Sequence, residues 1–232
     1  PPLMDSDFVQ SAFTPALKSR AALLEELHAE NTTCYRLFHG TKEGEPGLTI
    51  DRYGDYLLVQ TWRDVIELQV LDELATAIKS EMGLELTPVW NHRAKRGEVD
   101  HSLQPLDIPF GVMGQEMGLT YEVAPRHKGI DPLLFLDFRA GRRKIRAVAA
   151  EKTVLNLFSY TCGVGIAAAK AGASEVVNVD FSKYALQTGE TNAFKNEIAE
   201  GFKTIHEDAI PIMLQYSGLG ISGRRAKRNH KK

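Results

Sequence analysis

Two glycines one residue apart, Gly163 and Gly165, open the small-residue run Gly-Val-Gly-Ile-Ala-Ala, and an acid, Asp180, stands 17 residues (180 − 163) after the first of them. Glycines at a turn let backbone come close to a ligand, and N–H groups at a helix start favour negative charge. A carboxylate at the tip of the next strand can accept hydrogen bonds from a sugar diol. A second acid, Asp208 in "HEDAI", can do the same for an exocyclic amino group. The plainer use of both acids is to cap the helices that follow their strands.

These residues need elements to position them. "TVLNLF" reads as a buried strand, "GIAAAKA" as a helix closed by Gly172, and "EVVNVD" as a second strand ending at Asp180. "SKYALQTGETNAFKNEIAE" follows as a helix with Ser182 as its cap, then "FKTIHED" as a third strand, and residues 139–150 can be helical. Strand–helix alternation at this spacing predicts parallel strands with right-handed crossovers.

The first half reads differently. "TPALKSRAALLEELHAE" predicts a helix with Thr14 as cap and Pro15 in the first turn. "GLTIDRYGDYLLVQ" is a hairpin signal, and Leu71, Leu74, Ala75, Ile78 and Met82 mark an amphipathic helix stopped by Gly83. "LTPVWNHR", "DIPFGVM" and "GLTYEVAP" read as short strands. The expected organisation is an N-terminal helical segment, 1–30, a small α+β domain, 31–125, and a Rossmann-like α/β domain, 126–232.

The run Gly163–Ala168 fits G-x-G-x-x-A, which keeps a dinucleotide, and so an NAD-dependent oxidoreductase, in consideration. In dinucleotide folds the strand runs almost straight into the first glycine. Here Ser159-Tyr160-Thr161-Cys162 separates the strand end, Phe158, from Gly163. A wider bend suits a ligand without phosphate whose amino-acid end needs room, and S-adenosylmethionine is such a ligand.

The chain has 232 residues, 43% hydrophobic and 25% charged, with a net charge of −2. That composition is globular, and any nucleic-acid contact must come from local basic patches. Three such clusters occur: His92, Arg93, Lys95 and Arg96; Arg126, His127 and Lys128; Arg142, Arg143 and Lys144. Each can neutralise phosphates or simply form a solvated face. The tail "RRAKRNHKK" is also basic. Two cysteines, Cys34 and Cys162, form neither a metal-ligand spacing nor a disulfide framework. With no signal-peptide pattern in "PPLMDSDFVQ" and no apolar run near 18 residues, the expectation is a cytoplasmic protein without a membrane span or a metal.

"RLFHGTKEGEPGLTIDRYGDYLLVQ", "LFLDFRAGRRKIR", "VLNLFSYTCGVGIAAAKAGASEVVNVDFSKYAL" and "NAFKN" together resemble bacterial class I SAM-dependent methyltransferases of large-subunit ribosomal RNA, nearest to the 5-methylcytosine-forming branch. The resemblance implies a class I methyltransferase domain, S-adenosylmethionine as cofactor and ribosomal RNA as partner. It implies Asp137 and Arg139 near the cofactor, and Phe158, Ser159, Tyr160 and Gly163 on its methionine side. Asp180 would hold the ribose, Phe181 would pack on the adenine, and Asp208 would bind its amino group. Asp137 and Arg139 can equally form an ion pair between domains; Phe181 and Tyr160 can be packing residues; Cys162 reads as packing and not as a nucleophile. RNA contacts fall to Arg93, Lys95, Arg96, Arg126, Lys128, Arg142 and Arg143.

The sequence departs from that family in places. "KGIDPLLFLD" stands where a Lys-Thr-Gly-like run is usual, and an N-terminal RNA-binding module is represented only by its trailing helix. After "GLGISGRR" the family continues into a strand with Asp-Pro-Pro and, later, a nucleophilic cysteine; here "AKRNHKK" follows. The expectation is therefore a partial catalytic domain with no catalytic residue of its own, and a non-catalytic RNA- or SAM-binding remnant is the other reading.

Overall fold

The computed structural model describes residues 6–93, 98–127, 129 and 131–218. The chain divides into two compact units, Pro1–Asp137 and Phe138–Lys232.

The first unit opens with α1 (Ser6–Phe8), a π-helical turn (Val9–Phe13), α2 (Thr14–Ser19) and α3 (Ala21–Ala29). Thr14, expected as a cap, continues a chain that is already helical, and its Oγ1 donates to Val9 O at 2.9 Å. Pro15 does lie in the first turn of α2. Between α2 and α3 the chain bends at Arg20, whose guanidinium grips both oxygens of Glu43 at 2.5 and 2.9 Å.

Four strands then form a sheet in sequential order: β1 (Cys34–His39), β2 (Leu48–Tyr53), β3 (Tyr56–Thr61) and β4 (Thr87–His92). A single turn, α4 (Gly40–Glu43), follows β1, and α5 (Leu68–Met82) carries the chain from β3 to β4. The β2–β3 pair is antiparallel with Tyr53 opposite Tyr56, so Gly54 and Asp55 alone make the turn, Gly54 at φ +61. Because α5 crosses over, β4 pairs parallel to β3. Gly83, at φ +67, caps α5 where the sequence predicts its end.

One sheet face is apolar: Leu37, Ile50, Leu57, Val59 and Trp90 meet Phe13, Leu17, Leu24, Leu27, Leu74 and Ile78 from the helices. Burial of each such side chain stabilises by about 1.5–3 kcal/mol. A hairpin of β5 (Val112–Glu116) and β6 (Leu119–Val123) turns through Met117 and Gly118, both at positive φ. The stretch "DIPFGVM" thus becomes strand only from Val112, and Phe110 is fully exposed.

The second unit is the alternating one. It runs α6 (Arg139–Val148), β7 (Thr153–Leu157), α7 (Gly163–Lys170), β8 (Glu175–Asp180), α8 (Lys183–Lys195), β9 (Phe202–His206) and α9 (Ala209–Tyr216). The three strands are parallel in the order β7-β8-β9, with Asn156 opposite Asn178 and Asp180 opposite His206. Residues alternate between two faces. Val154, Val176 and Phe202 pack with Ile145 of α6, Ala149 just after it and Ala168 of α7. Leu157, Val177, Val179 and Ile205 pack with Ile212 of α9.

An amide ladder lies within this apolar sheet. Asn156 Nδ2 donates to Asn178 Oδ1 at 2.9 Å, and Asn178 Nδ2 donates to Lys203 O at 3.2 Å. Gly165 leaves room for it: a Cβ there would stand 2.1 Å from Asn178 Oδ1. The second glycine of the motif therefore serves helix–strand packing.

Candidate cofactor site at the strand tips

The bend from Phe158 to Cys162 is built from an alternation of left-handed residues. Phe158, Tyr160 and Cys162 have φ of +54, +49 and +62, and none is glycine. Each such residue costs on the order of 1 kcal/mol, so the surroundings must hold the bend in place. They do so with hydrogen bonds. Ser159 N donates to Val179 O at 3.0 Å, Tyr160 N to Asp180 Oδ2 at 2.8 Å, and Cys162 N to Ser159 O at 2.8 Å. From behind, Asn192 Nδ2 donates to Thr161 O at 3.1 Å. The bend is wired to the tip of β8.

Asp180 is the post to which it is tied. The residue is 7% exposed. Its Oδ2 accepts from Tyr160 N and its Oδ1 from Ser182 N, both at 2.8 Å. Asp180 does not cap α8; Ser182 does, accepting from Ala185 N at 3.2 Å. Each carboxylate oxygen thus uses one lone pair on main chain and retains another, enough for a vicinal diol. Phe158 and Phe181 flank the tips as residues 70% and 75% exposed, which for phenylalanine is an open apolar surface.

Across β8–β9, Glu207 N donates to Asp180 O at 3.1 Å, and His206 Nε2 lies 2.9 Å from Phe181 O. A carbonyl accepts only, so Nε2 carries the proton. Asp208 is exposed and caps α9, its Oδ1 accepting from Ile210 N at 2.8 Å. The helix-capping use holds for that oxygen.

Cys162 is sealed. It is 0% exposed, its Sγ occupies the space a Cβ on Gly189 would need, and burial pushes its thiol up to about 12. A thiol so protonated is no nucleophile at neutral pH.

The structure brings Phe158, Ser159, Tyr160, Gly163, Asp180 and Phe181 together, with Asp208 past the neighbouring strand. Arg139 opens α6 in the same unit, whereas Asp137 is exposed and closes the first unit. The basic residues divide. Arg93 is 6% exposed, its Nε donating to Gln60 Oε1 at 2.7 Å and its Nη2 to the carbonyls of His127 and Gly129. Arg126 donates to Trp90 O at 2.9 Å and to both oxygens of Gln104. Both tie up the fold of the first unit. In α6, Arg142 is buried and Arg143 exposed. Lys95, Arg96 and Lys128 lie outside the described residues.

Sequence reasoning missed the asparagine ladder, Asn192 and His206, and it gave no range to the helix that Asp208 could cap. The asparagines had a visible signal: a lone amide at the matching place of two otherwise apolar runs, "VLNLF" and "VVNVD". Among the described residues no group of three or more His, Cys, Asp or Glu could hold a metal ion, and no helix is long and apolar enough to cross a membrane.

The profile of the S-adenosylmethionine-dependent methyltransferase family matches residues 36–205. A ribosomal RNA large subunit methyltransferase of Deinococcus radiodurans is 31% identical over 230 residues, 95% of this chain and 56% of the relative. Ribosomal RNA large subunit methyltransferase I of Shewanella denitrificans is 32% identical, over 94% of this chain and 55% of its own length. Among solved structures, SMU.776, described as a methyltransferase and complexed with SAH, superposes with a TM-score of 0.76 at 27% identity, covering 93% of this chain and 55% of that one. The chain spans about half the length of these relatives.

Proposed function

The chain belongs to the S-adenosylmethionine-dependent methyltransferase family, and from that premise we propose that its strand tips bind S-adenosylmethionine for methylation of a nucleobase in large-subunit ribosomal RNA. One observation carries the reading. Asp180 is presented at the tip of β8 by two main-chain N–H groups, with a lone pair left on each oxygen.

Within the second unit each residue has a task. Asp180 accepts from the two ribose hydroxyls; bonds to a charged acceptor contribute roughly 1.5–3 kcal/mol each. Phe181 lies against the adenine, and the Asp208 oxygen not used in capping accepts from its amino group. Phe158, Ser159, Tyr160 and Gly163 form the bend beside the methionine end, with Arg139 at the start of α6 completing the set. Bound there, the sulfonium supplies an activated methyl group, and the chain supplies orientation and exclusion of water. Cys162 takes no covalent part, being buried and protonated. A target base inside a duplex has to be flipped out or taken from a loop. The relatives' names support the ribosomal RNA target, and a reducing, cytoplasmic setting suits two buried free thiols, Cys34 and Cys162.

Calorimetric titration of the protein with S-adenosylmethionine and with NAD tests the cofactor. Binding of the first and not the second is expected; NAD binding alone overturns the reading. Transfer of labelled methyl to ribosomal RNA tests the substrate, and cofactor binding without transfer leaves the non-catalytic alternative standing.

A further inference from the structure

Phe138 has no part in the proposed cofactor site. It precedes α6, and its ring lies on Gly141, where a Cβ would come within 2.7–3.0 Å of three ring carbons. Gly141 thereby gives the ring a flat backbone seat. The residue is nonetheless 52% exposed, so the side chain seated on Gly141 stays accessible to solvent.

The helix behind it is strongly basic. α6 reads Arg-Ala-Gly-Arg-Arg-Lys-Ile-Arg-Ala-Val: five cations and no acid in ten residues. Arg139, Arg142 and Arg143 fall in its N-terminal half, where the helix dipole disfavours positive charge. Arg143 and Lys144 are exposed. An immobilised aromatic ring beside cations is the pairing that recognises single-stranded nucleic acid: the base stacks, and the phosphates meet the charges.

We propose that Phe138, seated on Gly141 and flanked by the cationic helix α6, is a stacking platform for an unpaired base of the RNA substrate. The proposal rests on the ribosomal RNA reading above and assigns to this surface a preference for single strands. A duplex keeps its bases stacked on each other and offers α6 only phosphates.

Fluorescence anisotropy with a labelled single-stranded RNA oligonucleotide, and with the same sequence as a duplex, tests it on the full chain. Phe138→Ala should weaken single-strand binding roughly tenfold, leave duplex binding little changed and leave S-adenosylmethionine affinity unchanged. Phe138→Tyr should keep wild-type affinity. Phe138→Leu retains an apolar contact on Gly141 without a π-face and should behave as the alanine variant, so the test survives poor folding of the latter. Wild-type single-strand affinity in both Phe138→Ala and Phe138→Leu overturns the platform and leaves the RNA reading standing. A parallel fall in S-adenosylmethionine affinity also overturns it, placing the ring in the cofactor site. If the wild-type chain binds neither RNA, the substrate reading falls together with the platform.

Discussion

Two buried strand carboxylates, Asp51 in the first unit and Asp180 in the second, are held in opposite ways. Asp51, in the middle of β2, is 1% exposed and faces Arg36 across β1–β2, Nε to Oδ1 at 2.7 Å and Nη2 to Oδ2 at 3.1 Å. Burial raises its carboxyl against the opposing pull of that guanidinium. Asp180, at the end of β8, has no cationic partner among the described residues; main-chain N–H groups hold it. A carboxylate closed by a guanidinium fork is neutralised and complete. One held by N–H dipoles at a strand tip keeps acceptor capacity on both oxygens. The contrast separates a carboxylate that serves the fold from the one we propose serves a ligand.

That contrast can be broken by mutation. Asp51→Ala strands the Arg36 guanidinium and should destabilise the first unit by about 3 kcal/mol, the low end for a buried pair because Arg36 keeps contact with solvent. Urea unfolding measures this, and S-adenosylmethionine affinity should not change. Asp180→Ala should reverse the pattern: at least tenfold weaker cofactor binding, about 1.4 kcal/mol, with the first unit's stability unchanged. If affinity is untouched, Asp180 is a second Asp51 and the ribose assignment is lost.

The smallest effect concerns Cys162. A thiol raised to about 12 stays protonated through pH 9, so iodoacetamide should leave it unmodified in the folded protein and modify it after unfolding. The same shift makes its contribution to stability complete below pH 9 and lost as pH climbs from about 9 to 12, because the unfolded thiol ionises first. Rapid native labelling at pH 8 would show a bend far looser than its hydrogen bonds imply.

Signals that are local in the sequence survive in the structure. Gly83 and Ser182 end and begin helices where their own chemistry says so, and the Tyr53–Tyr56 hairpin needed only "YGDY". The helix that Asp208 could cap is α9, which accommodates Pro211 because a proline in the first helical turn is tolerated. The partners of Asp180 could not be read at all. They depend on Phe158, Tyr160 and Cys162 taking left-handed conformations that none of these residues advertises. Arg93 and Arg126 show the converse: charges that read as a surface patch are spent on carbonyls and an amide inside the first unit.

The paired amides of Asn156 and Asn178 also act as an alignment key. Sliding β7 by one residue against β8 would set Leu155 or Leu157 opposite Asn178 and leave its oxygen unanswered in a dry layer. Only one offset closes the lock, and that offset sets Leu157 beside Val179, so that the bend leaving β7 meets Asp180.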